Sequence, residues 1–221
     1  MNRNSILPPE LIKVVNESLK NMRDSLKIIP QYLVKLANLG WFISLDITPR
    51  ETGELCLKIK EKNFKAVDSF MIKYVSKKVN RVEKEVIEAF PKREKPLKEA
   101  FQAYKNKKYF LSIPVFIAQI DGIFIDIFDQ YFFTSRETKK EELKKRYTNY
   151  NFGEILNAFF EPSGHKIEIS LGKNEKIRNR VIYNRHEIMH GIDNEYGTWD
   201  NCLKIISLLD YIAEITRSKK Y

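Results

Sequence analysis

Tyr109-Phe110-Leu111-Ser112-Ile113-Pro114-Val115-Phe116-Ile117-Ala118-Gln119-Ile120-Asp121-Gly122-Ile123-Phe124-Ile125-Asp126-Ile127-Phe128, running on to Phe133, is the stretch whose reading decides the fold. It is long and apolar enough to raise the question of a membrane span. An Asp near a bilayer centre costs about 2.5 to 3.5 kcal/mol on insertion scales, and this stretch carries both Asp121 and Asp126. A buried core helix with a polar seam of Gln119, Asp121 and Asp126 is the better reading, and no membrane partner is expected. Ser112 is placed to cap that helix, and Pro114 to sit in its first turn, where a missing N–H is harmless.

Upstream, Leu11, Val15, Leu19, Met22, Leu26 and Ile29 recur at steps of three and four. That spacing predicts one face of an amphipathic helix, stopped by Pro30. A shorter helical piece follows to Asn38, with Gly40 as its C-terminal cap. Phe42 to Ile47 and Leu55 to Ile59 alternate in a way that allows a small β-hairpin through Pro49 and Gly53. Phe64, Val67, Met71, Tyr74, Val82 and Val86 mark a third helix ending before Pro91, and Leu97, Ala100, Phe101 and Tyr104 a fourth.

Downstream, Phe152 to Phe160 reads as a short helix closed by Pro162 and Gly164. Two more helices follow, one reaching Gly191 and one from about Thr198 to Ser218, on whose face Trp199, Leu203, Ile206, Leu209, Ile212 and Ile215 form an apolar stripe. The expected fold is therefore all-α, with a boundary near Pro91. Residues 1–91 form an N-terminal helical region and residues 92–221 a C-terminal helical bundle.

An apolar content of 43% over 221 residues fills a sizeable core without a disulfide or a metal. Two cysteines, Cys56 and Cys202, are too few for a disulfide framework and lack Cys-x-x-Cys spacing, which fits a reducing compartment. Met1 to Pro9 holds no apolar run of signal-peptide length, so a cytoplasmic location is expected. Lys and Arg outnumber Asp and Glu by 39 to 29, a balance that attracts polyanions and equally fits a basic soluble surface.

The chemistry concentrates in Asn184-Arg185-His186-Glu187-Ile188-Met189-His190-Gly191, which holds two of the three histidines. Histidine titrates near neutrality and is the commonest metal ligand, so two incompatible chemistries can be written on these residues. In one, Arg185 offers a permanent planar charge to a phosphate and His190 transfers a proton. Asn184 caps the helix and Glu187 is placed to return a capping-box bond. His190 then lies in the last turn, where the helix dipole favours imidazolium. Five residues along a helix turn through about 500°, leaving Arg185 and His190 about 140° apart around the axis and about 7.5 Å apart along it. One helix does not aim both at one phosphate; a two-fold dimer does.

In the other chemistry, His186-Glu187-Ile188-Met189-His190 is a literal His-Glu-x-x-His, with both imidazoles on one zinc ion, Glu187 activating water and Glu214 or Glu195 as third ligand. Asp193 and Asn194 stand where the longer zinc-protease motif needs other residues. The bland reading makes Arg185 and Glu187 surface charges and the histidines ordinary helix residues. His165 belongs to an exposed loop on the simplest view. Asp121 has two readings too, as the solvated side of the apolar helix or as a group that orients Arg185 or His186.

The Asn184–Gly191 segment resembles the Arg-polar-x-x-x-His signature of HEPN domains, including the Gly after the His. The following acidic turn and Thr198 to Leu209 are similar to that family as well, as is Ile113 to Ile123, which looks like a core helix in HEPN proteins of bacterial defence and abortive-infection type. The likeness covers roughly residues 96–217. It implies a metal-independent endoribonuclease without cofactor, acting as a homodimer and cleaving RNA by attack of the 2′-hydroxyl. Arg185 would stabilise the phosphate, His190 would transfer a proton and His186 would assist. A toxin or antiphage role, with an antitoxin or sensor as partner, follows from the same likeness, as does an inactive RNA-binding variant of it.

Thr134 to Tyr150 is mostly charged, and Lys139, Lys140, Lys144, Lys145 and Arg146 read either as a solvated face or as a phosphate-contacting stretch. Neutralising four of these charges should weaken RNA binding and reduce the salt slope of the binding constant by about 3, at roughly 0.7 per phosphate contact on single strands. An unchanged slope in a salt titration would make the stretch a bystander.

Overall fold

The computed structural model describes residues 9–133, Pro162, Ile169 and residues 183–216. The expected helix over Phe152 to Phe160, the basic residues Lys139 to Arg146, and His165 lie outside the described residues. Every regular element among the described residues is helical: α1 (Pro9–Ala37), α2 (Pro49–Lys60), α3 (Phe64–Ser76), α4 (Val79–Ala89), a 3-10 turn (Pro91–Arg93), α5 (Glu94–Lys105), α6 (Tyr109–Phe128), α7 (Arg185–Met189) and α8 (Trp199–Thr216). The all-α expectation holds.

The small hairpin is not formed, and the reason lies at Thr48. Its hydroxyl accepts from the Glu51 N–H at 3.2 Å while Glu51 accepts from the Thr48 N–H at 2.9 Å, and Pro49 occupies the first helical position. A complete capping box with Pro at N1 nucleates a helix where alternation alone points to a strand. Leu55, Leu57 and Ile59 alternate in sequence, but only Leu55 and Ile59, four apart, are buried, while Leu57 is exposed.

Pro30 does not stop α1, which runs on to Ala37. A proline inside a helix costs about 3 kcal/mol, whereas full burial of a leucine returns about 1.5 to 3 kcal/mol; Leu33 and Leu36 lie beyond Pro30 and are both buried. Gly40 then turns the chain with φ +81, its N–H bonding the Ala37 carbonyl. The single helix expected from Phe64 to Val86 is two, broken at Lys77 and Lys78, and both parts keep the buried valines Val67, Val75, Val79, Val82 and Val86. Ser112 is no cap. Helix α6 begins at Tyr109, so Pro114 lies inside it and Ser112 instead points at Cys202, 3.1 Å from its sulfur.

The last helix, α8, is the axle of the molecule. It packs against α3, α4 and α6, and every residue from Cys202 to Ala213 is buried. Its expected one-sided stripe is therefore only part of its apolar surface, and Trp199 at its start is largely exposed. The core is continuous from Leu33 to Ile215, so helices before and after the turn at Pro91 share it. α6 is the only helix among the described residues long and apolar enough to cross a membrane; half of it is buried, against α5 and α8.

A polar network fastens the loop after α1 onto this core. Asp46 accepts hydrogen bonds from Ser44 and Tyr74 at 2.8 Å each, pairs with Lys78, and meets Arg81 at 3.0 Å, while Arg81 also reaches Asp210 of α8 at 3.5 Å. Burial pushes the Asp46 carboxyl up, but hydrogen bonds from Lys78, Ser44 and Tyr74 outweigh it and hold the group at about 2. The pair is asymmetric, because burial lowers the Lys78 ammonium more than its contact with Asp46 raises it. A carboxyl at about 2 when folded, against 3.8 as its ordinary value, stabilises above the ordinary value and loses that contribution as pH falls toward 2. Because the side chain is about a third exposed, about 1 kcal/mol is expected after screening. Asp46→Asn should lower the urea midpoint at pH 6 and lose most of that difference from wild type at pH 2.5. An equal difference at both pH values would refute it.

Candidate active site

Asn184, in extended backbone and buried, starts α7 by accepting the Glu187 N–H at 3.1 Å. The helix is only five residues long, so His190 is its C-cap and lies outside the last helical turn where the sequence placed it. A dipole summed over so few peptides has little force on an imidazole. Gly191 follows at φ +68, a left-handed turn suited to glycine. It sends the chain back so that the Ile192 N–H bonds the Glu187 carbonyl at 2.8 Å.

α7 packs on α6, and one ion pair fixes where. Arg185 Nη2 donates to Asp121 Oδ2 at 3.1 Å, with the Asp121 side chain 8% and the Arg185 side chain 26% exposed. The other carboxylate oxygen accepts the backbone N–H of Phe133 at 3.3 Å. The guanidinium carbon lies 5.8 Å from the centre of the Phe133 ring. Arg185 is thus gripped by a carboxylate and covered by a ring, while its buried Nε has no hydrogen-bond partner among the described residues.

The polar seam of α6 divides. Gln119 and Asp126 are seven residues apart and share a face, while Asp121 points elsewhere. Arg93 takes the first face, donating to Asp126 at 3.0 Å, to Gln119 at 3.2 Å and to the Gly122 carbonyl at 2.6 Å. It lies so close over Gly122 that a Cβ there would meet the guanidinium. Asp121 alone belongs to α7.

His186 is half-buried and His190 exposed, their ring centroids 4.4 Å apart. The four-residue spacing does bring both imidazoles together. Among the described residues no third His, Cys, Asp or Glu joins them in a group able to hold a metal. Arg185 faces inward to Asp121, whereas His190 faces out, as a helix that turns about 140° between them requires.

Two neighbours of the site carry no sequence signal of their own. Phe133 follows the break at Asp129, which adopts φ +54, and is held by ring contacts from Phe132, itself packed on Phe124. Tyr183, immediately before Asn184, is buried with its hydroxyl unpartnered among the described residues, and burial pushes that phenol far above its usual range. Cys202 lies nearby, its thiol pushed up to about 12 by burial and so inert as a nucleophile at neutral pH.

Comparison of the chain with protein-family models, with curated proteins and with solved structures returns no match.

Asp121→Ala should destabilise the fold by about 2 to 4 kcal/mol, since a mostly buried guanidinium and a buried N–H lose their acceptor. Asp126→Ala should cost under about 1 kcal/mol, because Arg93 keeps Gln119 and the Gly122 carbonyl and the pair is more exposed. Denaturant midpoints of the two variants check this, and equal losses would contradict the division of the seam.

Proposed function

We propose that the chain is a metal-independent endoribonuclease whose site is completed by a second copy. The observation that carries the reading is the fixed, partly exposed Arg185, held by Asp121 and Phe133, one short helix away from an exposed His190 whose ring lies beside that of His186. An arginine whose fork is already oriented presents its remaining N–H groups to a phosphate at little further entropic cost. An imidazole in solvent reach accepts and returns protons.

In this reaction the 2′-hydroxyl attacks the adjacent phosphorus, giving up its proton to a general base as the P–O bond forms. The bond to the 5′-oxygen breaks, and that oxygen takes a proton from a general acid. The products are a 2′,3′-cyclic phosphate and a free 5′-hydroxyl. Arg185 neutralises charge gathering on the non-bridging oxygens, His190 serves as the acid and His186 assists in proton transfer. Since Arg185 and His190 diverge on one helix, the paired copy supplies the missing group across a two-fold axis. The likeness to HEPN domains supports the same assignment, and with it a toxin or antiphage role in the cytoplasm under the control of an antitoxin or sensor.

His190→Ala should lower RNA cleavage by about 100- to 10,000-fold with helix content and oligomeric state unchanged, while Arg185→Ala should lower it by as much and also cost stability, because the buried Asp121 loses its cation. A 2′-deoxy sugar at the cleavage position should block the wild type, and EDTA should leave its rate unaltered. Near wild-type cleavage by both variants, or loss of activity with EDTA, would defeat the proposal.

A further inference from the structure

Five aromatic side chains meet at the surface where α5 ends, α6 begins and the turn from α7 enters α8. Tyr104 and Tyr109 have ring centroids 6.1 Å apart, and Phe110 meets Tyr196 edge-on at 5.1 Å. Trp199 Nε1 donates to the Tyr104 hydroxyl at 3.2 Å, and the Tyr196 hydroxyl donates to the Phe110 carbonyl at 3.0 Å. Gly197 is required here, since a Cβ would meet the Phe110 ring. Tyr104, Tyr109 and Tyr196 are half-buried against the core and form the base of the group, on which Phe110 and Trp199 stand exposed. Phe110 is 51% and Trp199 41% exposed, yet hydrogen bonds and ring contacts hold the group in place.

Along the chain the ledge follows the candidate site, since Tyr196 stands six positions after His190. Its charge is divided. Lys107 and Lys108 stand exposed in the α5–α6 turn beside Tyr104 and Tyr109, without an ion pair among the described residues, while Lys105 pairs with Glu83. Glu195 and Asp200, both exposed, are the chain neighbours of Tyr196 and Trp199. A polyanion with flat, apolar side groups fits that division: its phosphates follow the lysines and avoid the acids, and its bases turn onto the rings. Stacking on aromatic side chains is the sequence-tolerant mode by which single strands bind.

We infer that this ledge of Tyr104, Tyr109, Phe110, Tyr196 and Trp199 stacks unpaired bases of single-stranded RNA, the substrate class of the proposed nuclease reading on which the inference rests. A duplex, with its bases already stacked, gains nothing there.

The chain has two tryptophans, and Trp41 is fully buried, so quenching of exposed tryptophan reports on Trp199. The probe is a 2′-O-methyl oligouridylate of twelve nucleotides, which binds without being cut. Quenching on titration is expected, and a 2′-O-methyl duplex of the same length should quench little. Phe110→Leu keeps apolar bulk against Gly197 and removes the π face, and should weaken binding about 10-fold. Lys107→Gly suits the positive φ of that position and should lower the salt slope by about 0.7. Absence of quenching, equal affinity for duplex, or unchanged binding by Phe110→Leu would overturn the ledge while leaving the nuclease proposal standing if RNA is still cleaved. Quenching and loss in Phe110→Leu without any cleavage by the wild type would uphold the ledge and defeat the nuclease.

Discussion

Asp121 is a carboxylate on the most apolar helix among the described residues, and its surroundings give it little water. Left alone there it would cost several kcal/mol, so the element that covers it has to bring a cation and a backbone donor. Arg185 brings the first and the Phe133 N–H the second. That demand fixes three things at once: the place where α7 docks on α6, the fold-back of Tyr131 to Phe133 after Asp129, and the direction in which the guanidinium points. The histidines inherit their position from it, because α7 is too short to be held by its own hydrogen bonds.

α8 meets a similar demand differently. α8 is buried on every side, so its polar residues have to find partners inside. Ser207 accepts the Phe42 N–H at 3.2 Å and donates to the Lys204 carbonyl at 2.6 Å, and Asp210, which burial pushes up, faces Arg81. These contacts carry the loop after α1 and the α3–α4 junction onto one helix. Burial supplies the driving force, and the polar groups decide the register in which α8 is gripped.

Much of this was legible beforehand, and the failures have physical causes. α5 follows from apolar spacing alone, because its buried face coincides with the helical period; the stripe also finds α8, but not that its remaining faces are buried from Cys202 to Ala213. α2 was misread through Leu55, Leu57 and Ile59, whose alternation mimics a strand; Thr48-Pro49-Arg50-Glu51, the cap that overrules it, was equally visible. Pro30 was given its intrinsic cost without the weight of Leu33 and Leu36 beyond it, which only tertiary packing reveals. At the site, Asn184 and Gly191 announce their roles because capping and left-handed turns are local. Asp121 was a candidate partner for Arg185 from charge alone. Phe133 was not, since its contribution is a backbone N–H and a ring face brought in from a distant turn.

The site's geometry bears on which chemistry the same residues favour. A zinc site needs side chains that converge, and His186 and His190 do converge, but the pair stands at the edge of α7, and the neighbouring carboxylate Asp121 is turned away and occupied by Arg185. A phosphate site needs a fixed cation with donors to spare and a proton carrier that reaches solvent. Arg185 offers Nη donors beyond the one committed to Asp121, and His190 is exposed. What one copy lacks is convergence of these two groups, and their divergence around the helix axis is what a two-fold axis beside α7 would repair. The partly exposed fork of Arg185 in one copy would then face the outward imidazole of the other across that axis.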